Sequence, residues 1–380
     1  MQFRYFAHSW ISDWNHGNAH FLRGLARALV QRGHEVRVYE PMPEPSGGWS
    51  LSHLCAEAGG SAAIAQMSAA YPELDIRLFG PGARGPRRTP LNRWPVVESW
   101  EEELRNAEVV LMHEWHERQL LEWLTQQRRR WGFRLLLHDT HHRAVSDGCW
   151  LRQLPLGQLD GVLAFGESLR QMYERTGRVR HSYTLHEAAD LLQFHPGAAV
   201  AGADGVVWIG NWGDGERDAA LEEFLLQPVE NAAARLQTYG VRYPERALAR
   251  LRQLQAGYGG YLPNLEAPAA YGRAAVTVHV PRGPYAGGLA GIPTIRMFEA
   301  MACGCALLSA PWTDSEGLFA EGEDYWKAQN GREMTWLLVQ LLRDGKQRKR
   351  LGTHAAASIA ARHSCEQRAE SLEAICRDLN

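Results

Sequence analysis

The run "ALVQRGHEVRVYEP", residues 28–41, does most to limit the fold: an apolar helical pattern stops at Gly33 and an extended apolar run restarts at once. With "FRYFAH" ahead of that helix, the segment reads as strand, helix, strand. A connection carrying a whole helix joins parallel strands, since antiparallel neighbours need only a tight turn. The alternation continues through "DIRLF", "EVVLMHE", "FRLLLHD" and "GVLAFG", with helices in "EWHERQLLEWLTQQRRR" and "ESLRQMYERTG". About six parallel strands wrapped by helices make a first domain.

The regularity lapses in "TLHEAADLLQFHPGAAVAGADG", which reads as an interdomain connection. A second series then begins: strands in "GVVWIGN", "ARLQTYGVR", "AAVTVHV" and "CALLSAP", helices in "GERDAALEEFLLQP", "PERALARLRQL" and "TIRMFEAMACG". A chain of 380 residues exceeds what one core usually holds, so two domains are expected, 1–192 and 193–363. The final helix "CEQRAESLEAICRDL", within 364–380, has no strand after it and can dock on either domain.

Composition removes several function classes. The formal net charge of −2 gives no general reason to expect nucleic acid or an anionic membrane. Lysine occurs only at Lys327, Lys346 and Lys349, which argues against a Schiff base and a P-loop. Side-chain anion binding therefore falls to arginine, whose planar fork suits phosphate oxygens. None of the six cysteines forms a C-x-x-C pair, so reduced thiols are expected. Met1 leads into "QFRYFAHSW" without a signal-peptide pattern, and no apolar run reaches the roughly 18 residues of a membrane span. A soluble, cytoplasmic protein is the expectation.

Ligands of doubly wound sheets bind outside the carboxyl ends of the strands, and four such loops are rich in polar and aromatic residues. In "HSWISDWNHGN", Gly17 and Asn18 precede a helix, Asp13 is a possible base, and Trp10 and Trp14 can stack on a ring. The plain alternative is a hydrated loop with packed tryptophans. "MHEWHE" and "LLLHDTHHR" carry His113, His116, His138, His141 and His142. No helix-borne H-E-x-x-H accompanies them, so no metal site is expected; a neutral His138 hydrogen-bonding a substrate hydroxyl is preferred. "IGNWGDGER" brings Gly210, Asn211, Gly213, Gly215 and Arg217 into a phosphate-facing turn. "VPRGPYAGGLAGIPTIRMFE" supplies Arg282 and a helix with Arg296 and Glu299 on one face. That pair is a surface salt bridge or part of an anion site with a carboxylate for ribose. "GPGARG" (Gly80, Gly82, Gly85) satisfies G-x-G-x-x-G but runs into "PRRTP", which cannot open the required helix.

At these residues the chain resembles the glycosyltransferases of GT-B fold. "FEAMACGCALLSAP" is similar to their donor-binding helix and strand, and "GLARALVQRGHEVRVYEP" to their first βαβ unit. "HEAADLLQFHP" resembles the handover between their domains, and "SCEQRAESLEAICRDL" the terminal helix that crosses back to the first domain. In the large retaining group (glycosyltransferase group 1) two glutamates separated by seven residues flank the donor. Glu299 matches the second, a ribose ligand, while the first would fall on Gly291. Arg217 matches the arginine of a diphosphate-binding arginine–lysine pair, and no lysine follows. Arg296 before "FE" and the "PRG" loop resemble the CgeB-like branch of spore-maturation glycosyltransferases.

The resemblance implies an α/β chain of GT-B fold, two Rossmann-like doubly wound domains facing across a cleft, with 364–380 returning to the first. It implies transfer of a sugar from a nucleotide-diphosphate donor, a UDP-sugar being expected, to an acceptor hydroxyl, with no cofactor and no metal; the chain has no D-x-D motif. Arg217, Arg282 and Arg296 would stabilise the departing diphosphate together with helix N-termini, Glu299 would hold the ribose, and Gly17, Gly210 and Asn211 would line the donor site. His138 lies where relatives place a histidine that touches the donor sugar. If transfer inverts, Asp13, Glu114 and Asp139 are the candidate bases. The acceptor, whether glycan, lipid-linked, protein or small molecule, stays open. The rival readings are a sugar-nucleotide epimerase and a non-catalytic nucleotide-sugar or partner-binding subunit.

Overall fold

The computed structural model describes residues 1–80, 90–197, 203–213 and 215–379. The chain divides into two units, Met1–Glu187 with Cys365–Asn380, and Ala188–Ser364. Each is built on one wholly parallel sheet flanked by helices.

The first sheet holds β1 (Gln2–Phe6), β2 (Glu35–Pro41), β3 (Asp75–Phe79), β4 (Val109–His113), β5 (Arg134–Asp139), β6 (Gly161–Ala164) and β7 (Ser182–Thr184), in the order β3-β2-β1-β4-β5-β6-β7. β7 was not anticipated: three half-buried residues, "SYT", are too few for a periodicity to register. β1 and β4 are buried along nearly their whole length, as strands covered on both faces must be. In register, Phe3 lies opposite Val109 and His113 opposite His138, so the ends of β4 and β5 carry their histidines side by side.

The crossover helix Ala19–Gln31 packs against β2 and against the helix Cys365–Asp378. That terminal helix is fixed to the first unit by specific contacts. Arg32 grips Glu373 with two nitrogens at 2.6 and 3.0 Å, His34 adds a third bond at 2.7 Å, and Tyr183 donates to Asp378 at 2.7 Å. Arg32 first, then His34, pulls the Glu373 carboxyl down to about 2.

The second sheet holds β8 (Val206–Ile209), β9 (Leu236–Tyr239), β10 (Gly257–Tyr258), β11 (Val276–His279), β12 (Ala306–Ser309) and β13 (Trp326–Lys327), ordered β10-β9-β8-β11-β12-β13. The two-residue edge strands β10 and β13 extend the four that the sequence indicates. The helix expected over "GERDAALEEFLLQP" runs as Asp218–Leu221, a wider π turn Glu222–Leu226, and Gln227–Asn231. The widening falls just before Pro228, which has no N–H for the carbonyl four residues back and whose ring crowds it. Val206, Trp208, Val276, Val278, Ala306 and Leu308 carry this unit's core against Leu225, Leu338 and Leu351.

In both sheets the strand order reverses once at the first strand of its unit, between β1 and β4 and between β8 and β11. Loops leaving the carboxyl ends there part in opposite directions and leave a crevice. The "GPGARG" loop passes from Gly80 out of the described residues. Among those described, no helix is long and apolar enough to cross a membrane.

Candidate active site

At the reversal in the second unit, the loop after β8 and the loop after β11 are tied by one arginine. Arg217 is buried, with 8% of its surface exposed, and donates to the backbone carbonyls of Val280, at 3.3 Å, and Asn211. Its guanidinium lies 5.5 Å from the Trp208 ring centroid. Its Nε has no hydrogen-bond partner, and among the described residues no carboxylate pairs with it. A buried cation in that state is costly. Burial first, and the neighbouring Arg282 second, pull its pKa down to about 10, with Arg296 adding to the repulsion. The three arginines named from sequence therefore stand within electrostatic reach of one another.

Arg282 is half-buried and pairs with Glu216; its Nη2 would lie 3.7 Å from a side chain at Gly213. Arg296 donates to Glu299 Oε2 at 2.6 Å, and the Tyr271 hydroxyl donates to the same oxygen at 3.1 Å. Burial works against the Arg296 charge, but Glu299 and Tyr271 outweigh it and hold its pKa above the ordinary value. Glu299 itself is wholly buried. The helix pair is thus a half-buried ion pair, with Glu299 in the interior and Arg296 reaching toward the surface, and not an exposed salt bridge. Asn211 holds the loop together: its Oδ1 accepts from Val241 N at 2.9 Å. Gly210 O accepts from the Tyr243 hydroxyl at 3.1 Å.

Sequence reasoning missed His279 at the end of β11. Its Nδ1 bonds Ser309 Oγ at 2.9 Å, across the register that pairs the two residues, and its buried Nε2 has no partner. Burial first and Arg217 second push its pKa down to about 3. "AAVTVHV" gave only an apolar strand, and strand-end position was the signal that could have found the histidine.

The first unit assigns its candidates differently from the sequence reading. The amides of Trp10, Ile11 and Ser12 point at the buried Glu40 carboxyl, at 2.7, 2.5 and 3.4 Å. Burial nonetheless lifts Glu40 to about 8. Arg23, also buried, donates to the carbonyls of Trp10 and Ile11 and to Asp13 at 3.3 Å. Asp13 therefore neutralises Arg23, which suits it poorly as a base. Trp10 is fully buried against Tyr5, and Trp14 is bonded to Glu57 and stacked on His53 at 4.0 Å, so neither presents a free ring face as expected. Gly17 O meets His20 Nδ1 at 3.2 Å, and Asn18 Nδ2 donates to Thr140 at 3.1 Å.

Asp139 and Glu114 lie together, both buried. Asp139 accepts from the Tyr173 hydroxyl at 2.6 Å and from His141 N at 3.0 Å; burial raises it to about 7. Burial and the nearby Asp139 raise Glu114 well above the carboxylate range, and its Oε1 is without a partner. The two titrate as a pair. His138 shares its Nδ1 with the Tyr5 hydroxyl, keeps Nε2 unpartnered, and is held neutral by burial, at about 3. Of the five histidines weighed as ligands, His113 closes on two others that the reading passed over, His8 and His16.

No curated protein matches the chain in sequence. The glycosyl transferase-like family model matches residues 217–374, beginning at the buried arginine and ending in the terminal helix. Among solved structures, Anabaena HepE in complex with UDP and glucose superposes with a TM-score of 0.67 at 12% identity, over 100% of both chains. The sucrose-phosphate synthase of Thermosynechococcus elongatus gives 0.64 at 14%, over 100% of this chain and 99% of that one. A Rickettsia africae glycosyltransferase gives 0.63 at 10%, over 100% and 98%. These likenesses establish the fold. The chain has the GT-B fold, and its residues 217–374 match the glycosyl transferase-like family model.

Proposed function

We propose that the protein transfers a sugar from a nucleoside-diphosphate donor, a UDP-sugar, to an acceptor hydroxyl, and that Arg217, Arg282 and Arg296 bind the diphosphate. The observation that carries this reading is the buried Arg217, held beside two further guanidiniums without a carboxylate of its own. An anion placed among them removes the repulsion and supplies the missing partner. HepE, of the same fold, has been crystallised with UDP-glucose, which favours the uridine donor.

Transfer breaks the bond from the anomeric carbon to the phosphate oxygen, and the departing diphosphate gains negative charge. Preorganised cations aimed at that charge lower the barrier because they need not reorient as it forms. Arg217 is fixed for this by its two carbonyl contacts, and Arg296 by Glu299. Glu299 thereby becomes a positioning residue for Arg296. This departs from its expected place on the ribose, which a wholly buried side chain could reach only by exchanging a present partner. His279, neutral and with a free Nε2, is placed to hydrogen-bond the diphosphate or the sugar. In this reading the chemistry needs no metal at the diphosphate. For acceptor deprotonation we assign the Asp139–Glu114 pair, which titrates as a unit and in which Glu114 Oε1 has no partner; Asp13 is paired with Arg23. His138 Nε2 contacts a sugar hydroxyl.

The test is release of UDP or another diphosphate from a panel of nucleotide sugars, assayed without metal. A UDP-sugar is expected to be turned over by the wild type. Arg217→Gln should lower kcat at least tenfold, about 1.4 kcal/mol of transition-state stabilisation. Turnover unaffected by that substitution would remove the arginine cluster from the mechanism.

A further inference from the structure

Three imidazoles converge at the other strand-order reversal, in the first unit. His8 and His16 belong to the loop after β1, and His113 ends β4, the strand next to it. All three residues are buried, and one ring nitrogen from each lies within 4.8 Å of the other two. The ring centroids are 4.4 Å apart for His8–His16, 5.4 Å for His16–His113 and 5.6 Å for His8–His113. No motif spacing announces the group, because sheet topology, not helix pitch, brings the members together.

Two features of the surroundings point to a ligand. His8 Nδ1 and His113 Nδ1 are buried and have no hydrogen-bond partner, an arrangement that wastes two lone pairs in the interior. Two further ring nitrogens of the group are backed by polar groups instead. His113 Nε2 lies 2.9 Å from Thr140 Oγ1 and 3.2 Å from Glu114 Oε2, and His16 Nδ1 meets the Ser9 hydroxyl. A carboxyl or hydroxyl on the outer nitrogen and a bare inner nitrogen is the usual setting of a metal-bound histidine. Metal–nitrogen bonds of about 2.0–2.1 Å place tetrahedral ligand atoms roughly 3.4 Å apart. The present separations, within 4.8 Å, shorten to that value on binding.

We propose that His8, His16 and His113 bind one divalent cation of the zinc class, with the fourth coordination position left to water or substrate. Three imidazoles with no hard oxygen ligand suit Zn²⁺, Co²⁺ or Ni²⁺ and disfavour Mg²⁺ and Ca²⁺. The site belongs to the first unit and the arginine cluster to the second, so the proposal is independent of how the diphosphate is stabilised.

Co²⁺ reports on such a site by its visible ligand-field absorption. Chelator-treated full-length protein titrated with Co²⁺ alone should give the spectrum of four-coordinate metal, saturating at one equivalent and bleached by Zn²⁺. His113→Gln should weaken binding at least about a hundredfold, and Glu114→Gln by roughly tenfold, the range for an outer-sphere partner. X-ray absorption on the Zn²⁺-loaded wild type needs no folded variant and should count three imidazoles. The proposal is overturned by the absence of saturable binding, by a metal shell with fewer than three imidazoles, or by a folded His113→Gln that binds as tightly as the wild type.

Discussion

Gly291 stands where the resemblance calls for a glutamate, and the structure gives a physical reason for the difference. Its φ is +90°, and a Cβ there would come within 2.1 Å of Ser315 Oγ. Holding a side chain in that region costs about 1–3 kcal/mol. Gly291→Glu should therefore lower the unfolding free energy, read from urea titration, by about 1–3 kcal/mol and leave transfer no faster; a variant as stable as the wild type would show that the backbone does not demand glycine. The residue scale is also where sequence reasoning fared unevenly. The grouping of Arg217, Arg282 and Arg296 was legible because strand-end loops of one sheet come together. The pairing of Asp13 with Arg23 was not legible, because Arg23 sits on the following helix and no local pattern shows that a charge is already neutralised. The His8, His16 and His113 group was illegible for a related reason: its spacing is set by the pairing of β1 with β4.

Two buried groups, one from each sheet, act on stability with opposite sign. His279, at the end of β11, has a folded pKa of about 3 against roughly 6.5 in the unfolded chain. On acidification below 6.5 the unfolded chain takes up the proton first, so stability is lost by about 1.4 kcal/mol per pH unit through this group. Glu40, in β2, is raised to about 8, so the folded state keeps a proton that the unfolded chain gives up near 4.5. Its contribution is present at low pH and lost as pH rises toward 8. Urea midpoints at pH 5, 6.5 and 8 check both: His279→Gln should flatten the acid limb and Glu40→Gln the alkaline one. Unchanged limbs would mean that these groups are solvated. β2 and the helix Ala19–Gln31 were legible from periodicity, whereas the helices Trp49–Ala56, Gly60–Ala70, Gly331–Arg343 and Gly345–Arg362 were not indicated. The edge strands β7, β10 and β13 were not, since two or three residues carry no period and gain their hydrogen bonds only from a neighbour already in place.

At the scale of the whole molecule, the alternation of strand and helix and the two-part division were visible in the sequence, because each βαβ step leaves its own punctuation. The two proposed sites lie where each strand order reverses, and the central claim is that the reversal in the second unit is a diphosphate site built from arginine. Calorimetric titration with UDP in chelator, on the wild type and on Arg217→Gln and Arg282→Gln, tests it most directly. Saturable one-to-one binding to the wild type is predicted, weakened at least tenfold in each variant, about 1.4 kcal/mol apiece, without a matching fall in the unfolding midpoint of the half-exposed Arg282 variant. No binding by the wild type, or equal affinity in all three proteins, would contradict the account.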